Sequence, residues 1–157
     1  MSFNIAIDGP AGAGKSTIAK KIAKELGFVY VDTGAMYRAM ALYFLRSNIS
    51  NEDEQAISRA SENVEITIQY ENGEQQVFLN GENVSGEIRK EEVGNMASKT
   101  SGYGQVRKKL VELQQQLAKK ADVVMDGRDI GTVVLPDAQV KVCLLYTSPS
   151  PRDTERS

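Results

Sequence analysis

The chain has 157 residues, 41% of them hydrophobic, enough for one ordinary core with a small appended lobe. Its net charge is −2 with acids and bases interspersed, which offers no basic field to a nucleic acid polymer or a membrane surface, so the expected partners are small molecules. Zero histidines and a single cysteine, Cys143, exclude the usual zinc ligand sets and an internal disulfide, leaving Mg²⁺ carried in with a nucleotide as the expected metal.

Phe3 to Asp8 reads as a buried strand. The run Gly9-Pro10-Ala11-Gly12-Ala13-Gly14-Lys15-Ser16 follows and matches G-x-x-x-x-G-K-[ST]. Glycines let successive N–H groups turn inward around an anion, Lys15 supplies a point charge, and the Ser16 hydroxyl suits a phosphate-bound Mg²⁺. Gly9 to Thr17 is therefore the candidate triphosphate site. A plain glycine turn has no need of Lys-Ser after its last glycine. From Lys15 a helix is expected with Ile18, Ile22 and Leu26 stacked on one face, Ala19 and Ala23 beside them, and Gly27 as its stop. No basic-then-apolar leader precedes the loop, and the apolar stretch Ala39 to Leu45 is too short for a membrane span, so a cytoplasmic location is expected.

Phe28 to Val31 reads as a second strand, Asp32-Thr33-Gly34 as its end, and Ala35 to Arg46 as a helix. Strand, helix, strand, helix predicts an α/β fold, a parallel sheet wrapped by helices with ligands at the carboxyl ends of its strands. A helix from Glu52 to about Ser61 is expected with Ser50 or Asn51 as its cap. Val64 to Tyr70 alternates apolar with polar, Asn72-Gly73 follows, and Val77-Phe78-Leu79 runs into Asn80-Gly81, which predicts a small antiparallel ribbon in an inserted lobe. Helices are expected from Arg89 to Thr100 and from Gly104 to Lys120, the latter with Val106, Leu110, Leu113 and Leu117 on one face and charges and glutamines on the others. Asp122 to Asp126 reads as a buried strand, Pro136-Asp137-Ala138 as a turn, and Gln139 to about Tyr146 as a last strand. From Thr147 the chain holds two of its four prolines and nothing apolar, and is expected to be disordered.

Arg38 lies about one turn after Thr33 and can point back to an anion at that helix start, although a solvated surface arginine is the default for an isolated position. Arg128, between Gly127 and Asp129 directly after a hydrophobic strand, stands where ligands bind in open α/β sheets. Asp126 either orients Mg²⁺ through water or caps the next turn.

Together, Ile7-Asp8-Gly9-Pro10, Asp32-Thr33-Gly34-Ala35-Met36-Tyr37-Arg38, Val84-Ser85-Gly86-Glu87-Ile88-Arg89 and Asp126-Gly127-Arg128-Asp129-Ile130-Gly131-Thr132 closely resemble the bacterial cytidylate kinases, over Asn4 to about Val142. The resemblance implies a P-loop nucleoside-monophosphate kinase fold and transfer of the ATP γ-phosphate to CMP or dCMP. It implies a core of 1–34 and 104–146, an acceptor-binding lobe of 35–103, and a tail of 147–157 foreign to the family. It assigns Lys15 and Arg128 to catalysis, and Thr33, Arg38 and Arg128 to the acceptor phosphate side. Ser98, Arg107 and Asp129 are assigned to the cytosine. Family members continue past the last strand with an arginine-rich lid and closing helices, so the chain is expected to be C-terminally incomplete and impaired in turnover. Alternatives are a nucleotide-binding chain without catalysis and a P-loop kinase of another small metabolite. A GTPase-class switch needs Asn-Lys-x-Asp, which does not occur.

Overall fold

The computed structural model describes residues 2–10, 14–71 and 74–144. Ala11, Gly12 and Ala13 of the phosphate loop, the Asn72-Gly73 turn, Tyr146 and the tail of 147–157 lie outside the described residues. The chain forms two compact units, Met1–Asp32 with the chain from Ala121 onward, and Thr33–Lys120.

In the first unit, strands β1 (Asn4–Asp8), β2 (Val29–Asp32), β6 (Val123–Gly127) and β7 (Val140–Cys143) form a parallel sheet in the order β2-β6-β1-β7. The register pairs Asp8 with Gly127 and Asp32 with Asp126, so three carboxylates stand at or one residue before the ends of adjacent strands, at the same edge. Helix α1 (Lys15–Leu26) covers the sheet through Ala19 and Ala23, which pack with Ile5, Ile7, Tyr30 and Val124. This corrects the expected stripe: Ile18 is 39% and Leu26 53% exposed. Two alanines let the helix backbone approach the strands closely, and that choice of face turns Ile18 and Leu26 outward while Ile22 packs, partly buried, against the same cluster. Among the described residues the last strand runs from Val140 to Cys143, and the Leu144 N–H donates to the Asp8 carbonyl at 2.7 Å.

The second unit holds α2 (Thr33–Arg46), α3 (Glu54–Ser61), α4 (Glu91–Thr100) and α5 (Gly104–Lys120) with an antiparallel sheet of β3 (Ile66–Glu71), β4 (Glu74–Leu79) and β5 (Glu82–Asn83). Alternation puts Ile66, Ile68, Val77 and Leu79 on one buried face. Asn80 and Gly81 both take positive φ, 50° and 88°, which closes the β4–β5 turn. The Asn80 side-chain oxygen also accepts the Glu65 N–H at 2.9 Å. The cap of α3 is Asp53, whose carboxylate accepts the Ala56 N–H at 3.1 Å, in place of Ser50 or Asn51; Ser50 instead accepts from Glu52 in the turn before it. The helix expected from Arg89 begins at Glu91, after a separate 3₁₀ turn over Glu87–Arg89. Arg46 at the end of α2 pairs with Glu82 at 2.9 Å and Glu87 at 2.8 Å, tying β5 and that turn to one guanidinium. No helix among the described residues is long and apolar enough to cross a membrane.

Helix α5 groups with the second unit, whereas the sequence reading puts it with the core; its buried residues face α2, α3 and β3. Leu117 is only half-buried, and Gln114 is 1% exposed with no partner for its Nε2 among the described residues. A buried amide donor left without an acceptor costs about 1–3 kcal/mol. Gln114→Met, which keeps the length and removes the donor, is expected to raise the urea midpoint by the equivalent of about 1 kcal/mol. A lowered midpoint would show that the amide is satisfied in solution.

Candidate active site

In the first unit, β1 delivers the chain to Gly9, whose N–H reaches the Gly127 carbonyl at 3.4 Å. Gly14, whose φ of 78° is left-handed and suits glycine, stands directly before α1. Helix α1 starts there with no side-chain cap and no acidic residue in its first turn. Its leading N–H groups and positive dipole end are therefore available to an anion. The Lys15 ammonium is held near this start by the Pro10 carbonyl at 3.4 Å, and Ser16 and Thr17 stand exposed beside it.

Asp8, which sequence reasoning gave no task, joins this loop to the second motif. Its two carboxylate oxygens accept the Ile130 N–H at 2.6 Å and the Gly131 N–H at 2.9 Å. A carboxylate taking two backbone donors is a strong, geometrically defined tie. It caps a five-residue π turn, Ile130–Val134, which opens at Asp129 with φ 58°. The Asp129 carbonyl accepts from Val133 and Val134 at 2.9 and 3.2 Å. Arg128 and Asp129 are thus exposed on a loop anchored to β1 as well as to β6. Asp8 thus supplies a side-chain cap to the turn.

Asp126 is 3% exposed, and one of its oxygens accepts the Tyr30 hydroxyl at 2.8 Å. Burial, reinforced by the Asp32 carboxylate, pushes its carboxyl up to about 6, against the opposing pull of the Tyr30 hydrogen bond and of Lys15 and Lys20. Two acids crowded at the end of a sheet are an arrangement that a cation relieves. No cluster of three or more metal-ligating side chains occurs among the described residues.

In the second unit, Thr33 opens α2 and is 5% exposed. Arg38 is half-buried; its Nη1 donates to the Ile88 carbonyl at 3.0 Å and its guanidinium lies against Gly94 of α4. Ser98, four residues after Gly94 and exposed, shares that face of α4. Arg107 is exposed in the first turn of α5.

A family profile described as cytidylate kinase matches residues 5–157. The chain is 53% identical over 146 residues to a cytidylate kinase of Caldicellulosiruptor saccharolyticus, covering 93% of this chain and 65% of that protein. It is 56% identical over 144 residues to a cytidylate kinase of Caldanaerobacter subterraneus subsp. tengcongensis, covering 92% and 62%. With a cytidylate kinase of Bacillus cereus the identity is 52% over 143 residues, covering 91% and 64%. The chain thus spans a little under two thirds of the length of these relatives.

Asp126 makes the site's electrostatics measurable. An unfolded aspartate releases its proton near 3.8, whereas the folded one holds it to about 6. Between those values the folded state binds more protons than the unfolded, so this group's contribution to stability falls as pH rises from about 4 to 6. Asp126→Asn keeps an acceptor for Tyr30 and removes the charge. It is expected to be more stable than the parent at pH 7.5 by about 1–3 kcal/mol, with the gap closing by about pH 4. Urea midpoints at the two pH values check this; a gap independent of pH overturns the attribution.

Proposed function

Since the chain belongs to the cytidylate kinase family, we propose that the protein transfers the γ-phosphoryl group of ATP to CMP or dCMP, giving ADP and CDP or dCDP. The observation that carries this reading is the start of α1: an uncapped helix N-terminus without acids, behind a left-handed glycine and beside the Lys15 ammonium. Such a start binds the charge of a triphosphate and has no evident use in a protein that holds none.

Phosphoryl transfer asks for in-line placement and for balance of the charge on the moving group, with little covalent help. In this reading the segment Gly9 to Thr17 wraps the donor phosphates, with the N–H groups that open α1 from Lys15 to Thr17 donating to them, Lys15 faces the transferring group, and Arg128 supplies a second cation. Thr33 and Arg38 hold the acceptor's phosphate. Asp129, Arg107 and Ser98 are the residues proposed for the base by chemistry: a carboxylate accepts from the cytosine N4 amine and a guanidinium donates to O2 and N3, a donor and acceptor pattern that uracil cannot match. Arg38 supports its part: among the described residues no carboxylate pairs with it, so a half-buried cation is open to an anion.

Mg²⁺ fits the residues present. Ser16, exposed in the first turn of α1, would hold it with the nucleotide, and the crowded Asp126 and Asp32 carboxylates would favour a cation at that edge. When bound it offsets charge on the β- and γ-phosphates. The lobe of 35–103 is the acceptor module in this account, and the substrates, both small phosphorylated anions, make the cytoplasm the natural location.

Release of ADP measured with CMP, UMP, AMP, shikimate or no acceptor, beside titration with ATP, tests the whole. CMP-dependent release supports the kinase; ATP binding without acceptor-dependent release supports a nucleotide-binding chain without turnover; shikimate-dependent release means another metabolite kinase. Lys15→Ala is expected to abolish transfer with the fold intact by circular dichroism. Asp129→Asn is expected to narrow the preference for CMP over UMP in kcat/KM by about tenfold, worth ~1–3 kcal/mol. An unchanged ratio removes Asp129 from base recognition.

A further inference from the structure

Arg38 has a seat built from two elements of its own unit. Its Nη1 donates to the Ile88 carbonyl at 3.0 Å. A Cβ built on Gly94 would stand 3.1 Å from Nη2, 3.3 Å from Cζ and 3.4 Å from Nη1. Near-equal approach to three atoms of one planar group means that the flat of the guanidinium, rather than its edge, faces the α4 backbone there. Gly94 lies inside a helix, where glycine is among the poorest formers, so local propensity gives no reason for it. The Ile88 carbonyl is itself fixed. Ile88 is 5% exposed, Glu87 beside it is tied to Arg46 at 2.8 Å, and the Ser85 hydroxyl accepts the Val77 N–H at 2.9 Å. The segment Val84 to Arg89, otherwise without a chemical task, therefore presents one carbonyl to Arg38.

We infer that Gly94 is a positioning residue for the acceptor's phosphate: the missing side chain lets the Arg38 guanidinium lie against α4 with one N–H on Ile88, leaving its remaining N–H groups for the anion. The inference rests on the acceptor reading above. A methyl at Gly94 must push the guanidinium aside by a few tenths of an ångström, and a larger side chain must evict it. Charge-assisted hydrogen bonds to phosphate are sensitive to that displacement.

The test uses the full chain, with calorimetric titrations of CMP and cytidine and thermal melts. The variants are Gly94→Ala, Gly94→Leu, Arg38→Met and Gly94→Ala with Arg38→Met. Gly94→Ala is expected to melt at the parent temperature or about 2–4 °C above it, because alanine favours the helix. It is expected to bind CMP about 3- to 10-fold more weakly and cytidine, which lacks the phosphate, equally well. Gly94→Leu should approach the loss seen in Arg38→Met, and adding Gly94→Ala to Arg38→Met should cost nothing further. Unchanged CMP affinity in Gly94→Ala overturns the inference, as does a further loss in the double variant, or an equal loss for cytidine with a lowered melt. A parent chain that binds CMP no better than cytidine overturns the acceptor reading itself, and this inference with it. Should Gly94→Leu fail to fold, the alanine variants still decide.

Discussion

The parallel pairing of β1 with β6 is the constraint on which the first unit depends. It sets Asn4–Asp8 beside Val123–Gly127, so the phosphate loop and the Arg128-Asp129 turn leave the sheet at the same edge. Strand register alone would leave the two loops free to diverge. The Asp8 carboxylate prevents that by holding the Ile130 and Gly131 N–H groups, and the Gly9 N–H on the Gly127 carbonyl adds a backbone tie. Gly131 is hemmed in by the same contact: a Cβ there would stand 3.2 Å from the Asp8 Oδ2. The sheet thus supplies proximity, and one carboxylate converts proximity into a fixed relation between the ends of two strands.

The same edge carries a cost. Asp126 is buried beside Asp32, and desolvation raises its carboxyl against the help of Tyr30, Lys15 and Lys20. A well-packed apolar residue there would serve the sheet better. Strained electrostatics of this kind cluster at functional sites, and a cation bound at that edge would relieve them. The second unit shows a milder form of the same trade, with a glycine inside α4 and a half-buried arginine whose charge, among the described residues, meets a carbonyl and no carboxylate.

What could be read from the sequence was local. The Gly-Lys-Ser run, the alternation around Val64 to Tyr70 and the Asn80-Gly81 pair each encode their own backbone, and each appears where read. What escaped depended on partners far along the chain. Periodicity in α1 gives a helix without saying which side meets the sheet, and close approach favoured Ala19 and Ala23, with Ile22 packed at their side, over Ile18 and Leu26. Ser50, Asn51 and Asp53 are all good caps, and only the path of the turn selects Asp53. The π turn after Asp129 exists because Asp8 caps it, and the one signal for Asp8 was an acid ending a buried strand. Gln114 carries no sequence signal at all, since its burial follows from how α5 packs within its unit.

Because β1 and β2 flank β6 in the sheet yet precede it by the whole of the second unit, synthesis on a ribosome meets them out of order. The apolar strands Asn4–Asp8 and Val29–Asp32 emerge first and have no neighbour to pair with until Val123–Gly127 is made. The second unit is continuous in the chain and can collapse in the interval. Nascent chains arrested before residue 123 are therefore the ones that expose the first unit's core to chaperones.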